Sequence, residues 1–461
     1  MAENSREIIL DTLLEMERSD IYDGRLIKAV LDKYSYLPSQ DRAFIKRVTE
    51  GTLERKIELD YYLNHFSSVP VKKMKPLIRC LLRMSVYQLL YMEAVPDSAV
   101  CNEAVKLAQK RKFAGLKGFI NGVLRTVAKE KESMPLPDKT ADFEAWLSVK
   151  YSMPRWIVEK WIGIYGREVT EKLLQGLLQI HPVSLRFNTC ISEEKREACI
   201  REMTDNGVVL RQSTYLPYVY TARNTDDIRR LSGFAEGLFA VQDISSALAV
   251  EAAGIGPEDF VMDICAAPGG KTVLASEKAA RVLSRDVSEE KLAYICENLG
   301  RMGRNNVETQ VYDARVRDES RIEQADVVIM DVPCSGLGIM GKKRDIKYNV
   351  SPESLESLYE LQKDILLNSW EYVKKGGTLL YSTCTINPTE NRGMVDWITE
   401  NLPFEPVDIR DRMPGTLAED YEKIRSQMPG SAHENDKCCM QLMPGYTEAD
   451  GFFFAVLKRK E

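Results

Sequence analysis

The spacing of hydrophobic residues changes along the chain, and these changes predict where each kind of structure lies. From residue 5 to about residue 130, apolar residues recur at helical spacing, as in the run from Leu77 to Leu90. A segment with two prolines, residues 132–140, then predicts a linker. No strand pattern interrupts the helical part, so we expect residues 1–140 to form an all-α helical bundle.

The pattern becomes mixed after this linker. Helical patterns that carry tryptophan are followed by short strand-like runs at residues 183–188, 208–210 and 218–220. We expect a small α+β connecting module over residues 141–232. From residue 233 onward, strand-like and helical patterns alternate, which is typical of a doubly wound α/β domain. We therefore predict a Rossmann-like domain over residues 233–461.

The predicted strands of this last domain place acidic residues at one edge of its sheet. Four of them end in an aspartate, namely Asp263, Asp286, Asp313 and Asp331. Further strands are predicted at residues 376–382 and 452–457, whereas residues 405–450 carry the weakest pattern. Open α/β sheets bind ligands at the carboxyl ends of their strands. The aspartates therefore predict a binding site at that edge.

The first of these strands leads into a turn of small residues over residues 261–272, Val-Met-Asp-Ile-Cys-Ala-Ala-Pro-Gly-Gly-Lys-Thr. Small residues let a ligand approach the backbone, and a following helix N-terminus presents free N–H groups. A P-loop would need a glycine where Cys265 stands, and the dinucleotide fingerprint is absent. An S-adenosylmethionine site needs fewer glycines, and a plain strand-to-helix turn needs no ligand. The turn alone leaves these interpretations open.

The distribution of charge is uneven, although the net charge is −6. Residues 1–140 carry 24 lysines and arginines against 19 aspartates and glutamates, so the remainder of the chain is acidic. Within residues 71–131 the balance is 13 basic against 4 acidic residues. This local excess predicts a phosphate-rich partner such as RNA. A solvated helix face is the alternative that charge alone leaves open.

Cysteine and histidine usage narrows the class of protein. The chain has 10 cysteines and 3 histidines but no Cys-x-x-Cys, which argues against a zinc site and a disulfide framework. The N-terminus lacks the basic-then-apolar pattern of a signal peptide, and no apolar run approaches membrane length. We expect a cytoplasmic monomer that binds no metal and no membrane.

Two of the strand-end aspartates suit a nucleoside. Asp286 lies where the carboxylate of a second strand accepts both hydroxyls of a bound ribose. Capping of the helix that follows is its alternative role. Asp313 is placed to receive an adenine amine, with a simple turn residue as the alternative.

Two cysteines directly follow neighbouring predicted strands. Cys334 stands in Asp-Val-Pro-Cys-Ser, and Cys384 stands in Tyr-Ser-Thr-Cys-Thr. Adjacent strand ends would bring both thiols over one pocket, so these two are candidates for reactive groups. Ordinary buried thiols are expected at Cys80, Cys101, Cys199 and Cys296.

A thiol beside a methyl donor has a specific use. The C5 carbon of a pyrimidine is a poor nucleophile, but addition of a thiolate at C6 turns C5 into an enamine-like carbon that can attack an electrophilic methyl group. A base then removes the C5 proton and the thiol leaves. A second cysteine could help that release, and an acid near N3, such as Asp331, could assist the addition.

These motifs resemble the RNA cytosine-C5 methyltransferase family, and the N-terminal part is similar to a NusB-like RNA-binding domain. The order of the parts is similar to the bacterial Fmu/Sun type, which methylates 16S ribosomal RNA. The matching segments are residues 186–188, 242–243, 265–272, 331–335, 345–347, 382–385, 387–391 and 450–453, with 51–53 and 119–125 in the NusB-like part.

The resemblance implies S-adenosylmethionine as cofactor and 16S ribosomal RNA as substrate. It implies that Cys384 is the nucleophile and that Cys334 promotes release of the product, beside Asp331. The residues that it implies for cofactor binding are Cys265, Ala266, Ala267, Pro268, Gly269, Gly270, Lys271, Asp286, Asp313 and Asp331.

Other functions stay open at this point. Val332 stands where many relatives carry alanine, and residues 335–338 and 340–343 also depart from the common pattern, so the target nucleotide is not defined. A transfer RNA or another ribosomal cytosine is the alternative substrate. An NTP hydrolase is disfavoured by Cys265, and a non-catalytic RNA chaperone would leave both cysteine motifs without a role.

Overall fold

A computed structural model describes residues 4–19, 24–179, 182–225, 227–428 and 437–461. Part of the N-terminal stretch behind the localisation prediction, residues 1–3, lies outside these ranges. The chain divides into two compact units. The N-terminal unit comprises residues 1–174 and 342–349, and the C-terminal unit comprises residues 175–341 and 350–461.

The N-terminal unit is helical in all its described residues before residue 174, apart from turns. Its helices are α1 (Ser5–Ser19), α2 (Gly24–Lys33), α3 (Ser39–Glu54), α4 (Lys56–Phe66), α5 (Pro76–Tyr91), α6 (Asp97–Lys110), α7 (Lys117–Glu130) and α8 (Phe143–Lys150), followed by α9 (Arg155–Leu177). Proline at the first position of α5 suits a helix start, because that N–H has no partner within the helix. Helix α5 is central to the core, with Leu81, Leu82 and Val86 fully buried. The predicted helical bundle is confirmed.

Residues 342–349 are flanked in sequence by residues of the C-terminal unit, but they belong to the N-terminal unit. The Lys347 ammonium donates to the backbone carbonyls of Glu54, at 2.7 Å, and Ser152, at 2.6 Å. It thereby caps the C-terminal end of α3, where carbonyls lack helical partners. Arg344 adds ion pairs to Glu50 and Glu54. Burial lowers the pKa of Lys347 to about 7.

The C-terminal unit contains two sheets. The smaller has the strand order β2-β3-β1-β4, and all of its pairings are antiparallel. Its strands are β1 (Val183–Phe187), β2 (Val209–Gln212), β3 (Val219–Arg223) and β4 (Phe239–Val241), with α10 (Glu193–Asp205) after β1. Strand β4 was not predicted and lies beyond residue 232, the expected end of the connecting module. The three-part division of the chain itself stays a prediction.

The larger sheet has the order β10-β12-β9-β8-β5-β6-β7, with β11 paired to β12. Strands β7, β6, β5, β8 and β9 are parallel, and β12 joins β9 antiparallel. Its strands are β5 (Phe260–Asp263), β6 (Arg281–Asp286), β7 (Val307–Val311), β8 (Ala325–Asp331), β9 (Val373–Thr383), β10 (Phe404–Pro406), β11 (Cys439–Leu442) and β12 (Phe452–Arg459). The predicted Rossmann-like fold is confirmed. Strands β10 and β11 were not predicted because both are short and the hydrophobic pattern of residues 405–450 is weak. Strand β10 lies at the start of that range, and β11 lies inside it.

Helices cover the two faces of this sheet and bury separate apolar cores. One core includes Leu248 and Val261, and the other includes Met262 and Leu366. Successive residues of β5 thus point to opposite faces. The helices of this unit are α11 (Ile244–Ala253), α12 (Gly270–Ser276), α13 (Glu289–Arg301), α15 (Pro352–Ser369), α16 (Arg392–Asn401) and α17 (Gly415–Arg425), whereas α14 (Ile346–Asn349) belongs to the N-terminal unit. Within the described ranges, no helix combines the length and apolar character needed to cross a membrane.

A buried ion pair connects the small sheet to the end of helix α12. Arg186 on β1 donates to Glu277, which directly follows α12, at 2.8 Å, and both side chains are fully buried. Arg186 also donates to Gln242 at 2.6 Å. A buried charge that loses its partner is costly, so this pair fixes how the two sheets join.

The first prediction tests this pair. Arg186→Leu leaves Glu277 buried without its cation and should lower the free energy of unfolding by about 3–5 kcal/mol. Arg201→Leu is the matched control, because Arg201 pairs with Glu197 at the surface of α10, where the loss should stay below about 1 kcal/mol. Urea denaturation measures both values. Equal losses would show that the Arg186–Glu277 pair has no special structural weight.

Candidate active site

The turn between β5 and α12 requires glycine at one position. Gly269 has φ = 99°, and a Cβ there would lie 2.9 Å from Cγ1 of Ile295. A side chain would therefore be strained and crowded. The N–H of Gly269 donates to the Ala266 carbonyl at 2.7 Å, which closes the turn. Helix α12 then begins at Gly270, within one residue of the start near Lys271 that the sequence predicts.

Asp263, at the end of β5, holds helix α12 through a side-chain hydrogen bond. The Thr272 hydroxyl donates to its carboxyl group at 2.7 Å and lies 3.0 Å from the Ser284 hydroxyl. Asp263 is fully buried, and burial raises the pKa of its carboxyl group to about 7. It lies beneath the turn, so its role in this structure is to hold α12.

Asp286, at the end of β6, is positioned by two backbone donors. The N–H groups of Ala267 and Ser288 each donate to a different carboxylate oxygen at 3.1 Å. A carboxylate has about four acceptor positions, so Asp286 retains capacity for further donors. Asp313, after β7, is instead held by Arg315 in a two-point contact. That contact lowers the pKa of Asp313.

A cavity of about 410 Å³ opens at this edge of the sheet, and a cavity of that size can hold a small molecule. Seven of the predicted site residues line it, namely Cys265, Ala267, Asp286, Asp313, Asp331, Cys334 and Cys384. Ala266, Pro268, Gly269, Gly270 and Lys271 shape the turn without lining the cavity. Sequence reasoning missed other lining residues, among them Tyr312, Arg315, Leu361 and Ile365. Of these, Leu361 and Ile365 lie four residues apart on α15, and Tyr312 precedes Asp313.

Asp331 is held from two sides. The Lys271 ammonium lies 2.7 Å from one carboxylate oxygen, and the Ser382 hydroxyl donates to the other at 2.8 Å. The same ammonium stands 4.9 Å from the centre of the Phe452 ring. Lys271 is almost completely buried, so its charge is directed to Asp331. The structure thus orients Asp331 in the wall of the cavity.

The two candidate cysteines meet. The Sγ atoms of Cys334 and Cys384 lie 3.3 Å apart, after β8 and β9, which are parallel neighbours. The pKa of the Cys334 thiol is raised well above its ordinary value, first by the hydrogen bond with Cys384 and then by burial. Cys334 is therefore a neutral thiol at neutral pH. The loops also contact each other through the Gly338 N–H, which donates to the Cys384 carbonyl at 3.1 Å.

The family of the chain follows from comparison with known proteins. A model described as 16S rRNA methyltransferase RsmB/F matches residues 253–458, and the NusB family model matches residues 3–129. A protein of Bacillus subtilis (strain 168), "Probable ribosomal RNA small subunit methyltransferase B", is 34% identical and aligns over 99% of this chain and 98% of its own. The chain belongs to the ribosomal RNA small subunit methyltransferase B family.

Other relatives agree. "Ribosomal RNA small subunit methyltransferase B" of Salmonella arizonae is 30% identical over 91% of each chain. Among solved structures, PH0851 is similar over the full length of both chains, with a TM-score of 0.77 and 23% identity. A methyltransferase homolog protein from Pyrococcus horikoshii covers 68% of this chain and 97% of its own, with a TM-score of 0.56 and 23% identity. At this identity the two structures show the fold alone.

Family membership confirms several predictions made from the sequence. The chain is a ribosomal RNA methyltransferase, and S-adenosylmethionine is its cofactor. The NusB-like and Rossmann-like parts are also confirmed. The methylated atom and the role of each site residue are not defined by these comparisons.

The second prediction concerns the close packing of the Cys334 loop against Gly451, the residue before β12. A Cβ on Gly338 would lie 1.9 Å from the Gly451 carbonyl oxygen, a backbone atom that cannot swing away. Gly338→Ala should therefore lower the free energy of unfolding by about 1–3 kcal/mol or more. Gly300→Ala is the control, because a Cβ there meets nothing within 4 Å and should be neutral or stabilise α13 by up to about 1 kcal/mol. Chemical denaturation that ranked the two variants equally would contradict the close approach.

Proposed function

We propose that this protein transfers a methyl group to C5 of a cytosine in 16S ribosomal RNA through a covalent bond between Cys384 and C6. The observation that supports this proposal is the meeting of two thiols, 3.3 Å apart, at the edge of a cavity that Asp331 also lines. A methyltransferase that alkylates nitrogen or oxygen needs no cysteine nucleophile. A pyrimidine C5 requires one, because the carbon must first be activated.

The residues around the cavity fit the cofactor. Cys265 and Ala267 bring the turn to the wall of the cavity, and Asp286 retains acceptor capacity for the two hydroxyls of a ribose. Asp313 lines the cavity farther along the same edge, where it would face the adenine. S-adenosylmethionine, when bound, supplies an electrophilic methyl group and leaves as S-adenosylhomocysteine.

Cys384 begins the chemistry. Its thiolate forms the bond from Sγ to C6, and the electron pair of the C5–C6 double bond moves toward C5, as in an enamine. C5 then bonds to the methyl carbon. Loss of the C5 proton to water returns an electron pair to the ring, the bond from Sγ to C6 breaks, and Cys384 leaves as a thiolate. Atoms and charges balance over the cycle.

Asp331 and Cys334 assist at opposite ends of this cycle. The Asp331 carboxyl group beside N3 would stabilise the proton that N3 takes from water on addition and returns to water on elimination. Lys271 and Ser382 keep this carboxyl group in position. Cys334 is a neutral thiol within reach of Cys384, so its S–H can donate to the departing thiolate. We assign the nucleophile to Cys384 and release to Cys334 by the resemblance of their motifs to the family.

RNA affinity has its own source in the N-terminal unit. The basic excess of residues 71–131 lies on α5, α6 and α7 and the loops beside them, within the NusB-like part. Several of these side chains are exposed, among them Lys72, Lys75 and Lys112, and exposed lysines attract the phosphates of RNA whatever its sequence. The relatives are named for methylation of the small-subunit ribosomal RNA, which supports 16S RNA as the substrate.

The third prediction tests the cofactor site. Asp286→Ala removes the acceptor proposed for the ribose and should weaken S-adenosylmethionine binding by about 1.5–3 kcal/mol per hydrogen bond lost. Asp326→Ala is the control, because Asp326 lies at the start of β8 and bonds to Phe260 N–H and Lys374 instead. Isothermal titration calorimetry measures both. Unchanged affinity in Asp286→Ala would remove that residue from the site.

The fourth prediction separates the two thiols. Cys384→Ala should abolish methylation and form no covalent RNA adduct, because it removes the only group proposed to bond C6. Cys334→Ala should form the adduct and fail to resolve it, so a protein–RNA band should persist on a denaturing gel. The double variant should show no such band.

Different outcomes would lead to different conclusions. A trapped band in Cys384→Ala and none in Cys334→Ala would reverse the roles of the two residues. Full activity in both single variants would exclude the covalent mechanism. Bisulfite sequencing of 16S ribosomal RNA, with and without the protein, tests whether cytosine C5 is the methylated atom.

A further inference from the structure

Glu390 is a buried carboxylate that the mechanism above does not use. It follows Cys384 by one short loop and is fully inaccessible to solvent. Four donors meet its two oxygens: Ser335 N–H at 2.8 Å, the Ser335 hydroxyl at 2.5 Å, the Asn387 amide at 2.9 Å and the Gln362 amide at 3.1 Å. Burial of a charge is costly, so such a group calls for a functional or structural reason.

The partners of Glu390 belong to both cysteine loops. Ser335 directly follows Cys334, and its hydroxyl also lies 2.7 Å from the hydroxyl of Thr385, the residue after Cys384. Gln362 on α15 donates to the Pro333 carbonyl at 2.9 Å as well, so it holds the residue before Cys334. One carboxylate therefore connects the neighbours of both thiols.

The ionised form of Glu390 is the form that fits. All four contacts come from neutral donors directed at the carboxylate, which accepts up to about four hydrogen bonds. A glutamine in its place would turn its NH₂ group toward N–H donors, those of Ser335 and Gln362 on one side or that of Asn387 on the other. The negative charge also lies near Cys334 and contributes to the raised pKa of that thiol.

We propose that Glu390 is a positioning residue that holds the Cys334 and Cys384 loops at thiol-to-thiol distance. The proposal rests on the covalent mechanism proposed above for its effect on turnover. Its effect on the Cys334 thiol does not depend on that mechanism, so the two can fail separately. The Tyr381 hydroxyl donates to the backbone carbonyl of Glu390, and the other ionisable groups that face this part of the site are Tyr359, Asp331 and Lys271, which pairs with Asp331.

The fifth prediction measures the thiol first. In a Cys384→Ala background, alkylation of Cys334 by iodoacetamide is followed against pH, with mass spectrometry to identify the modified residue. Adding Glu390→Gln should move the alkylation profile to lower pH, because removal of a nearby negative charge favours the thiolate. Glu251→Gln is the matched control, because Glu251 bonds to Tyr218 and Lys278 and, within the part of the chain that the structure describes, has no contact with either cysteine loop. The alkylation profile of Cys334 should not move in this variant.

Turnover is measured in the chain with both cysteines. Glu390→Gln should lower kcat by about a hundredfold, as expected for misplaced reacting groups, while KM for RNA and affinity for S-adenosylmethionine stay within error. A glutamate needed only for folding would lower the active fraction without moving the Cys334 profile. An unchanged profile together with unchanged kcat would overturn the proposal.

A second variant covers the case in which Glu390→Gln does not fold. Ser335→Ala keeps the carboxylate and removes one of its donors together with the contact to Thr385. It should lower kcat in the same direction by a smaller factor. No change in Ser335→Ala would overturn the link between the loops. If the Cys334 profile moves but neither cysteine variant loses activity, the proposed function fails and the placement of Glu390 stands.

Discussion

The parallel pairing of β8 with β9 is the constraint on which the active site depends. Its register sets Met330 beside Tyr381 and Asp331 beside Ser382, so the loops that follow the two strands begin at the same level. A shift by one residue would turn every side chain of one strand to the opposite face of the sheet. Asp331 would then lose its hydrogen bond from Ser382, and the two loops that carry the thiols would begin at different levels along the sheet.

Much of this arrangement could be predicted from local patterns. Short apolar runs ending in aspartate identified β5, β6 and β8, and the cysteines directly after β8 and β9 were predicted to meet because neighbouring parallel strands end at one edge. Such predictions succeed where a strand is buried and its successor lies beside it. Strand β4 was not predicted, because it has only three residues and forms through pairing with β1, more than fifty residues earlier in the chain, which no local pattern reveals.

Other features depend on contacts that no local pattern contains. Lys271 extends toward Asp331 and lies over the ring of Phe452, a residue from the last strand. The burial of Glu390 could not be predicted from the sequence, because glutamate in a loop is ordinarily solvated. Its burial becomes evident only when α15 and both cysteine loops are in place. Charge patterning located the basic helices but could not assign residues 342–349 to the same unit.

That assignment has a consequence for the order in which the protein is made. Residues 1–174 leave the ribosome first, yet Lys347, which caps α3, follows about 170 residues later. At a synthesis rate of about 5–20 residues per second, the emerging bundle waits roughly 10–30 seconds for its last segment. During that interval the carbonyl groups at the end of α3 must be satisfied by water. The nascent chain therefore acquires its finished N-terminal unit only after much of the catalytic sheet has been translated.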